Sequence, residues 1–427
     1  GFFMPEQIPN SGTYRTRSFK LLANTFLAPE GLPFASIISA ERIQRIFQKH
    51  RSCFGENGVY STAVMLWAFL SQVLRDGKEA SCQAAVARVV THCQVHGRKP
   101  PTEDTGDYCR ARRKLSVDAL QELSCDVADQ QQREAPKEWL WKGKHHAKLV
   151  DGFTFSMPDT AENQAAYPQM KAQKPGLGTP ISRAVAIVSL ATACVMNLSM
   201  TSYQGKETGE SALLRKMLKS FHPGDIVVMD RYYCSYMLLA MLQIQGAHVC
   251  ARKHQYRRSD FRKGKRLGRN DHLIVWTRPN RPKWMSLELY ETIPETMVLR
   301  EVQFRIQVPG RRTDSFYMIT TLTDAAEYTV QDIADLYGYR WHSELDIRSI
   351  KSNLNLGHVR CKSPEMVHRE VWTTILGYNL IRMISAGAAQ LNNKHPRQIS
   401  FTSTCQILLA FWPYLSSSLI PRLTIEK

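Results

Sequence analysis

The stretch GDIVVMDRYYCSY, Gly224–Tyr236, decides the class of fold. Its apolar run Ile226–Met229 is too short for a helix and rich in β-branched residues, so it reads as a buried strand. The run stops at Asp230, and Tyr232–Ile244 then carries the apolar content of a packed helix. Strand, acid and helix in that order form the unit of an α/β sheet. Working outward, Ala147–Phe155 reads as another strand, in which KLVDG sets Asp151 at the end of an apolar run. Ser182–Leu190, Ala193–Ser202 and His248–Ala251 also read as strands, with a helix over Ser211–Phe221. Past a very basic segment, His272–Thr277, Val298–Val308 and Phe316–Thr323 alternate as antiparallel strands do. Thr329 opens a helix that runs to Gly357, with Asp332 completing a capping box, and Pro364–Gln390 forms a closing helix. Residues 35 to 135 read as helical, broken at Pro100 and Pro101. The expected fold is α/β: a mixed-sheet core with a β-rich insertion, preceded by an α-helical N-terminal domain. The expected divisions are 1–140, 141–252, 253–328 for the insertion and its basic loop, and 329–427.

The 427-residue chain holds 56 Lys and Arg against 38 Asp and Glu, a formal charge of +18. Such an excess points to a polyanionic partner, because neutralised phosphates release condensed counterions. A membrane role is disfavoured, since Ala184–Met196 and Ile407–Leu415 fall short of a ~20-residue span. With no signal-peptide pattern at the N-terminus, a cytoplasmic location is expected. Ten cysteines without a C-x-x-C pair fit reduced, buried thiols. Cys82, Cys93 and His96 have ligand-like spacing, but no second tight pair follows to make a zinc site.

A carboxylate that closes a buried strand is costly unless it is paired, and strand ends of α/β sheets are where sites form. For Asp151 or Asp230 alone, a turn or helix cap is the favoured reading. A third acid lies in YGYRWHSELDIRSIK, Tyr337–Lys351. At about 100° per residue, Tyr337, Arg340, Glu344 and Lys351 fall within roughly 60° of one another on one helix face. That face is either a solvated run of i,i+4 ion pairs or part of a site. Three converging carboxylates repel unless cations intervene, and hard oxygen ligands select Mg²⁺ or Mn²⁺. Two such ions can activate a hydroxyl and stabilise the leaving oxygen of a phosphodiester.

The chain resembles the DDE transposases of the bacterial insertion-sequence family whose signature is Y-x2-R-x3-E-x6-K, here Tyr337, Arg340, Glu344 and Lys351. VDGFTFSMPDTAEN around Asp151 and GDIVVMDRYYCSY around Asp230 resemble the first and second acidic motifs of that family. The resemblance implies an RNase H-like core in which Asp151, Asp230 and Glu344 hold two Mg²⁺ or Mn²⁺ ions. It implies that Tyr337, Arg340 and Lys351 meet the phosphates of the transposon end, with Arg231 a further candidate. It also implies double-stranded DNA as substrate and a homodimer in the DNA complex. The 344 − 230 = 114 positions between the last two acids match relatives that cleave through a hairpin and stack a flipped base on an aromatic ring. Trp276 and Trp284 are the candidates for that ring, although a strand tryptophan is more often core. Nine cations in Arg252–Arg269, Arg257 and Arg258 among them, suggest contact with the DNA backbone. Arg110, Arg113 and Lys114 on one helix suggest recognition of the terminal inverted repeat.

The expected function is therefore cut-and-paste transposition. An RNase H-like nuclease or resolvase, and a catalytically silent DNA-binding inhibitor, are the alternatives. A two-carboxylate glycosidase would leave the basic charge unexplained.

Overall fold

The computed structural model describes residues 38–54, 58–95, 97–174, 176–306 and 314–412. Among the described residues five helices come first: α1 (Ala40–Lys49), α2 (Thr62–Val73), α3 (Cys82–Val95), α4 (Thr105–Arg113) and α5 (Val117–Arg133). Ser39, Ser61 and Ser116 start α1, α2 and α5, each accepting a backbone N–H from the first turn. There follow β1 (Ala147–Ser156), α6 (Ala161–Ala166), β2 (Ile181–Ser189), β3 (Val195–Ser202), α7 (Glu210–Arg215), β4 (Ile226–Met229), α8 (Tyr236–Ile244) and β5 (His248–Arg252). Next are β6 (Lys265–Gly268), β7 (Asp271–Thr277), α9 (Leu287–Thr292), β8 (Thr296–Ile306) and β9 (Asp314–Thr320). The chain closes with α10 (Val330–Gly338), α11 (Trp341–Asn353), α12 (Pro364–Leu391) and α13 (Phe401–Phe411).

All nine strands belong to one mixed sheet in the order β3-β2-β1-β4-β5-β9-β8-β7-β6. β1, β4 and β5 run parallel to one another, and every other pairing is antiparallel. Strands β6 to β9, expected within an insertion of their own, extend this same sheet outward from β5, with Cys250 opposite Thr320. Paired charges sit inside that extension. Arg300 donates to Asp271 at 2.8 and 2.6 Å, and Glu301 takes both Lys253 and His272. Lys253, one of the nine cations of the basic segment, is therefore committed to the interior. The segment also holds β6, which alternation did not reveal.

The two faces of the sheet carry different covers. Leu149, Ile226, Val228 and Met318 pack with Ile333, Leu336 and Tyr337 of α10. On the other face Val150, Val227, Met229 and Val249 share a core with Ile375, Ile381 and Ile384 of α12. Trp67 and Leu123 of α2 and α5 belong to that same core. The apolar surface of α12 is thus buried within its own chain. Among the described residues no helix is long and apolar enough to cross a membrane.

Candidate active site

The parallel register puts the first two acids side by side. Leu149 pairs with Val228, so two residues further on Asp151 stands level with Asp230. Met229 pairs with Ala251, so Asp230 in turn stands level with Arg252. Neighbouring strands lie about 4.8 Å apart, and residues level in a parallel register point to the same face. Acid, acid and cation therefore form a row on the face that α10 and α11 cover. Asp230 follows the last residue of β4, as its sequence suggested. Asp151 does not end its strand. It lies fifth of ten residues in β1, which continues to Ser156 because β2 still pairs with it after β4 has stopped.

The signature residues do not occupy one unbroken helix. Arg340 N donates to Tyr337 O at 3.0 Å, and Ser343 N to Arg340 O at 3.0 Å. These tight i→i−3 bonds separate α10 from α11. Tyr337 thus approaches from the end of α10, and its hydroxyl stands 3.5 Å from Asp230 Oδ1, at the outer limit of a hydrogen bond. Arg340 opens α11 and spans two acids. Its Nη2 donates to Glu344 Oε1 at 2.6 Å, while Nη1 is 3.6 Å from Asp151 Oδ2. Lys351, two turns beyond Glu344, passes its side chain along Gly357.

Burial pushes the Asp151 carboxyl up to about 6, and the nearby Glu344 adds to the rise. Arg340, Ser343 and the Gly152 N–H hold it from going further. The Gly152 N–H donates to Oδ1 at 2.9 Å. Ser343 Oγ is 3.1 Å from Asp151 Oδ2 and 2.7 Å from Arg340 O, and can give its single proton to either. Burial likewise pushes the Tyr337 hydroxyl up to about 12, helped by Asp230. A desolvated carboxylate without full charge compensation suits a small divalent cation, and the donors are all hard oxygens. Among the described residues no three His, Cys, Asp or Glu side chains are already gathered around one ion-sized point. Arg340 supplies the positive charge between Asp151 and Glu344.

The remaining candidates scatter. Trp276 is 8% exposed and lies in the core, with the Arg257 guanidinium 3.8 Å above its ring. Trp284 is 36% exposed, with Arg215 3.7 Å above its ring. Arg231 meets Gln255 at 3.2 Å rather than an acid. Arg257 and Arg258 are exposed in the basic segment. Arg110, Arg113 and Lys114 line a groove of about 670 Å³, where Arg110 pairs with Asp107 at 2.5 Å. Of the residues proposed for zinc, His96 lies outside the described residues, and Cys82 faces Cys109 at 3.8 Å.

Three neighbours were missed in the sequence. Arg252 was counted only as the start of a basic run, although HVCAR ends on a charge just as IVVMD does. Ser343, inside the signature, leaves no sequence mark of its own. Glu210 accepts from the buried Tyr233 hydroxyl at 2.9 Å and presses on Gly152, where an added Cβ would meet its carboxylate at 2.3 Å. Any side chain at this position beside Asp151 would force the Glu210 carboxylate to move.

With this geometry in place, comparison with known proteins is direct. The family described as transposase DDE domain matches residues 142–380, more than half of the chain and the whole span from Asp151 to Lys351. Over 307 residues the chain is 28% identical to the transposase InsG for insertion sequence element IS4 of Escherichia coli strain K12. That alignment covers 70% of this chain and 65% of the relative, less than two thirds of its length. The chain belongs to the DDE-domain transposases, of the kind found in insertion sequence IS4.

Proposed function

We propose that the chain is a cut-and-paste transposase with an RNase H-like core and a helical N-terminal region, acting in the bacterial cytoplasm. It binds the terminal inverted repeats of its element as a homodimer on DNA and carries out metal-dependent cleavage and strand transfer. The observation that carries this reading is the level row Asp151, Asp230 and Arg252, closed over by Arg340 and Glu344.

Asp151, Asp230 and Glu344 would hold Mg²⁺ or Mn²⁺. When bound, such ions polarise the scissile phosphate and lower the pKa of the attacking hydroxyl. The chain's own residues do the rest. Arg340 and Arg252 offset phosphate charge, and Tyr337 buttresses Asp230 while meeting the DNA end beside Lys351. Arg231, Arg257 and Arg258 follow the DNA backbone, and Arg110, Arg113 and Lys114 read the repeat. Similarity to the named transposase supports DNA as the substrate class.

Purified protein and an end-labelled duplex carrying the inverted repeats that flank the gene test the reading. Nicking at the repeat boundary is expected with Mg²⁺ or Mn²⁺ and absent in EDTA. Cleavage that persists in EDTA removes the metal from the scheme.

If excision proceeds through a hairpin, Trp284 is the ring for the flipped base, since Trp276 is buried in the core. Stacking of this kind is worth about 1–3 kcal/mol. Trp284→Ala should nick the first strand normally and slow hairpin formation or opening by roughly ten- to one hundred-fold. A denaturing gel followed over time reads both steps, and normal hairpin turnover in the variant returns Trp284 to a packing role.

A further inference from the structure

Away from the acids, a cavity of about 580 Å³ opens between α3, α4 and the N-terminus of α12. Four cations line it: Arg112, Arg113, Arg360 and Lys362. Two acids are present, but Glu370 is occupied, accepting the backbone N–H groups of Arg360 and Cys361. Arg112 Nε is buried without an acceptor. Ser363 also lines the cavity, and its side chain makes no cap bond to the 28-residue helix it precedes. Pro364 at the start of that helix has no N–H, so the donors that Ser363 leaves uncapped are the N–H groups of Glu365 and Met366, at the positive end of a long dipole. Arg113 also borders the groove of Arg110 and Lys114, so the two openings form one cationic track.

We infer that this cavity holds a backbone phosphate of bound duplex DNA, as an anchor separate from the row of acids. This rests on the transposase reading, because it takes DNA as the partner. Oriented N–H groups, a hydroxyl and converging guanidinium groups are the elements from which phosphate sites are built. The fold sets a scale for its distance from the chemistry. Ser156, the last residue of β1, bridges to His358, two residues before Arg360. From Asp151 to Ser156 the strand advances about 17 Å. One DNA strand carries a phosphate every ~3.4 Å of rise, so for a duplex lying along β1 the anchored phosphate is about five or more nucleotides from the bond that is cut.

The test is a scan of the end-labelled duplex in which one phosphate at a time is replaced by neutral methylphosphonate. For the wild type, binding should weaken about tenfold at a position five or more nucleotides from the nick. For Arg360→Gln/Lys362→Gln the unmodified duplex should bind roughly ten- to one hundred-fold more weakly, with a salt slope lower by about one to two units. That variant should be insensitive to methylphosphonate at the same position. Lys362→Gln alone removes an exposed side chain and keeps the test valid if the double variant fails to fold. Unchanged affinity and slope in either folded variant, or a weakened variant that keeps the wild-type interference pattern, overturns the anchor. So does thermal stabilisation of the wild type by inorganic phosphate combined with undiminished DNA binding by the variants, which would assign the cavity to a free anion. Failure of the wild type to bind any duplex would instead sink the transposase reading itself, and the scan reads binding whether or not the protein cleaves.

Discussion

Alanine at Asp151, Asp230 or Glu344 is expected to lower strand cleavage at least a thousandfold, about 4 kcal/mol of barrier, while duplex binding persists. The acids are proposed to act on the reacting phosphate and the cations on the rest of the DNA, so the two readouts should separate. Asparagine at Asp151 gives a sharper version. It keeps the volume of the side chain and still accepts from the Gly152 N–H, but removes the desolvated charge. The folded carboxyl titrates near 6, above the 3.8 of an ordinary aspartate. Its stabilising contribution is present below pH 3.8 and is lost as pH rises through 6. At pH 7.5 the metal-free wild type therefore carries an unfavourable charge, worth up to about 3 kcal/mol at two units of displacement. Asp151→Asn should be inactive yet more stable than wild type at pH 7.5, with the gain shrinking towards pH 4. Urea unfolding at the two pH values measures it. A variant that cleaves DNA, or that is less stable at both values, shows Asp151 to be a structural residue.

Asp346→Ala should cost about 3–5 kcal/mol of folding stability, the usual result of leaving buried charges unpaired. Asp346 is 1% exposed and accepts from Arg382 at 2.7 Å and Arg397 at 2.8 Å. Arg397 also donates to the carbonyl oxygens of Ser189 and Leu190 at the end of β2. Arg382 also donates to Tyr378 within α12 at 2.8 Å, so its bond to Asp346 ties α11 to α12. One carboxylate thus fixes the helix of Glu344 against both the sheet and the long helix. Removing Asp346 leaves two guanidinium groups in the interior without their acceptor. Urea unfolding gives the magnitude, and a loss below about 1 kcal/mol would mean that water replaces the acid. Asp346→Ala/Arg382→Met should recover part of the loss, because it also removes one stranded cation.

What could be read beforehand followed physical rules with short reach. The strands around Asp151 and Asp230 were legible because burial on both faces demands continuous apolar runs. The signature was legible because four residue types at fixed spacing are improbable by chance. The break between α10 and α11 was not, since Tyr339 and Arg340 are tolerable helix residues and only docking against β1 and β4 shows where the axis must turn. The level row of Asp151, Asp230 and Arg252 needed strand register, which no local pattern carries across separations of 79 and 22 positions. Lys253 looked like a surface cation because its partner Glu301 lies 48 residues away. Trp276 sits in an alternating strand-like stretch, whereas Trp284 follows the turn-like Pro279, Asn280, Arg281 and Pro282, which favours Trp284 as the exposed ring; how far each ring is buried is set by tertiary packing.

The continuity of the nine-stranded sheet has a consequence for how the protein tolerates deletion and crowding. Strand β5 meets β9 directly, so excising residues 253–328 would not release a module but strip a central strand of its neighbour. The bared main-chain groups would become a template for pairing with other chains. In the intact protein that hazard is moved out to β6, a four-residue strand at the rim. Lys265 and Arg266 are exposed there. A short rim bearing like charges repels a second copy approaching edge to edge, so molecules can crowd together without fusing their sheets.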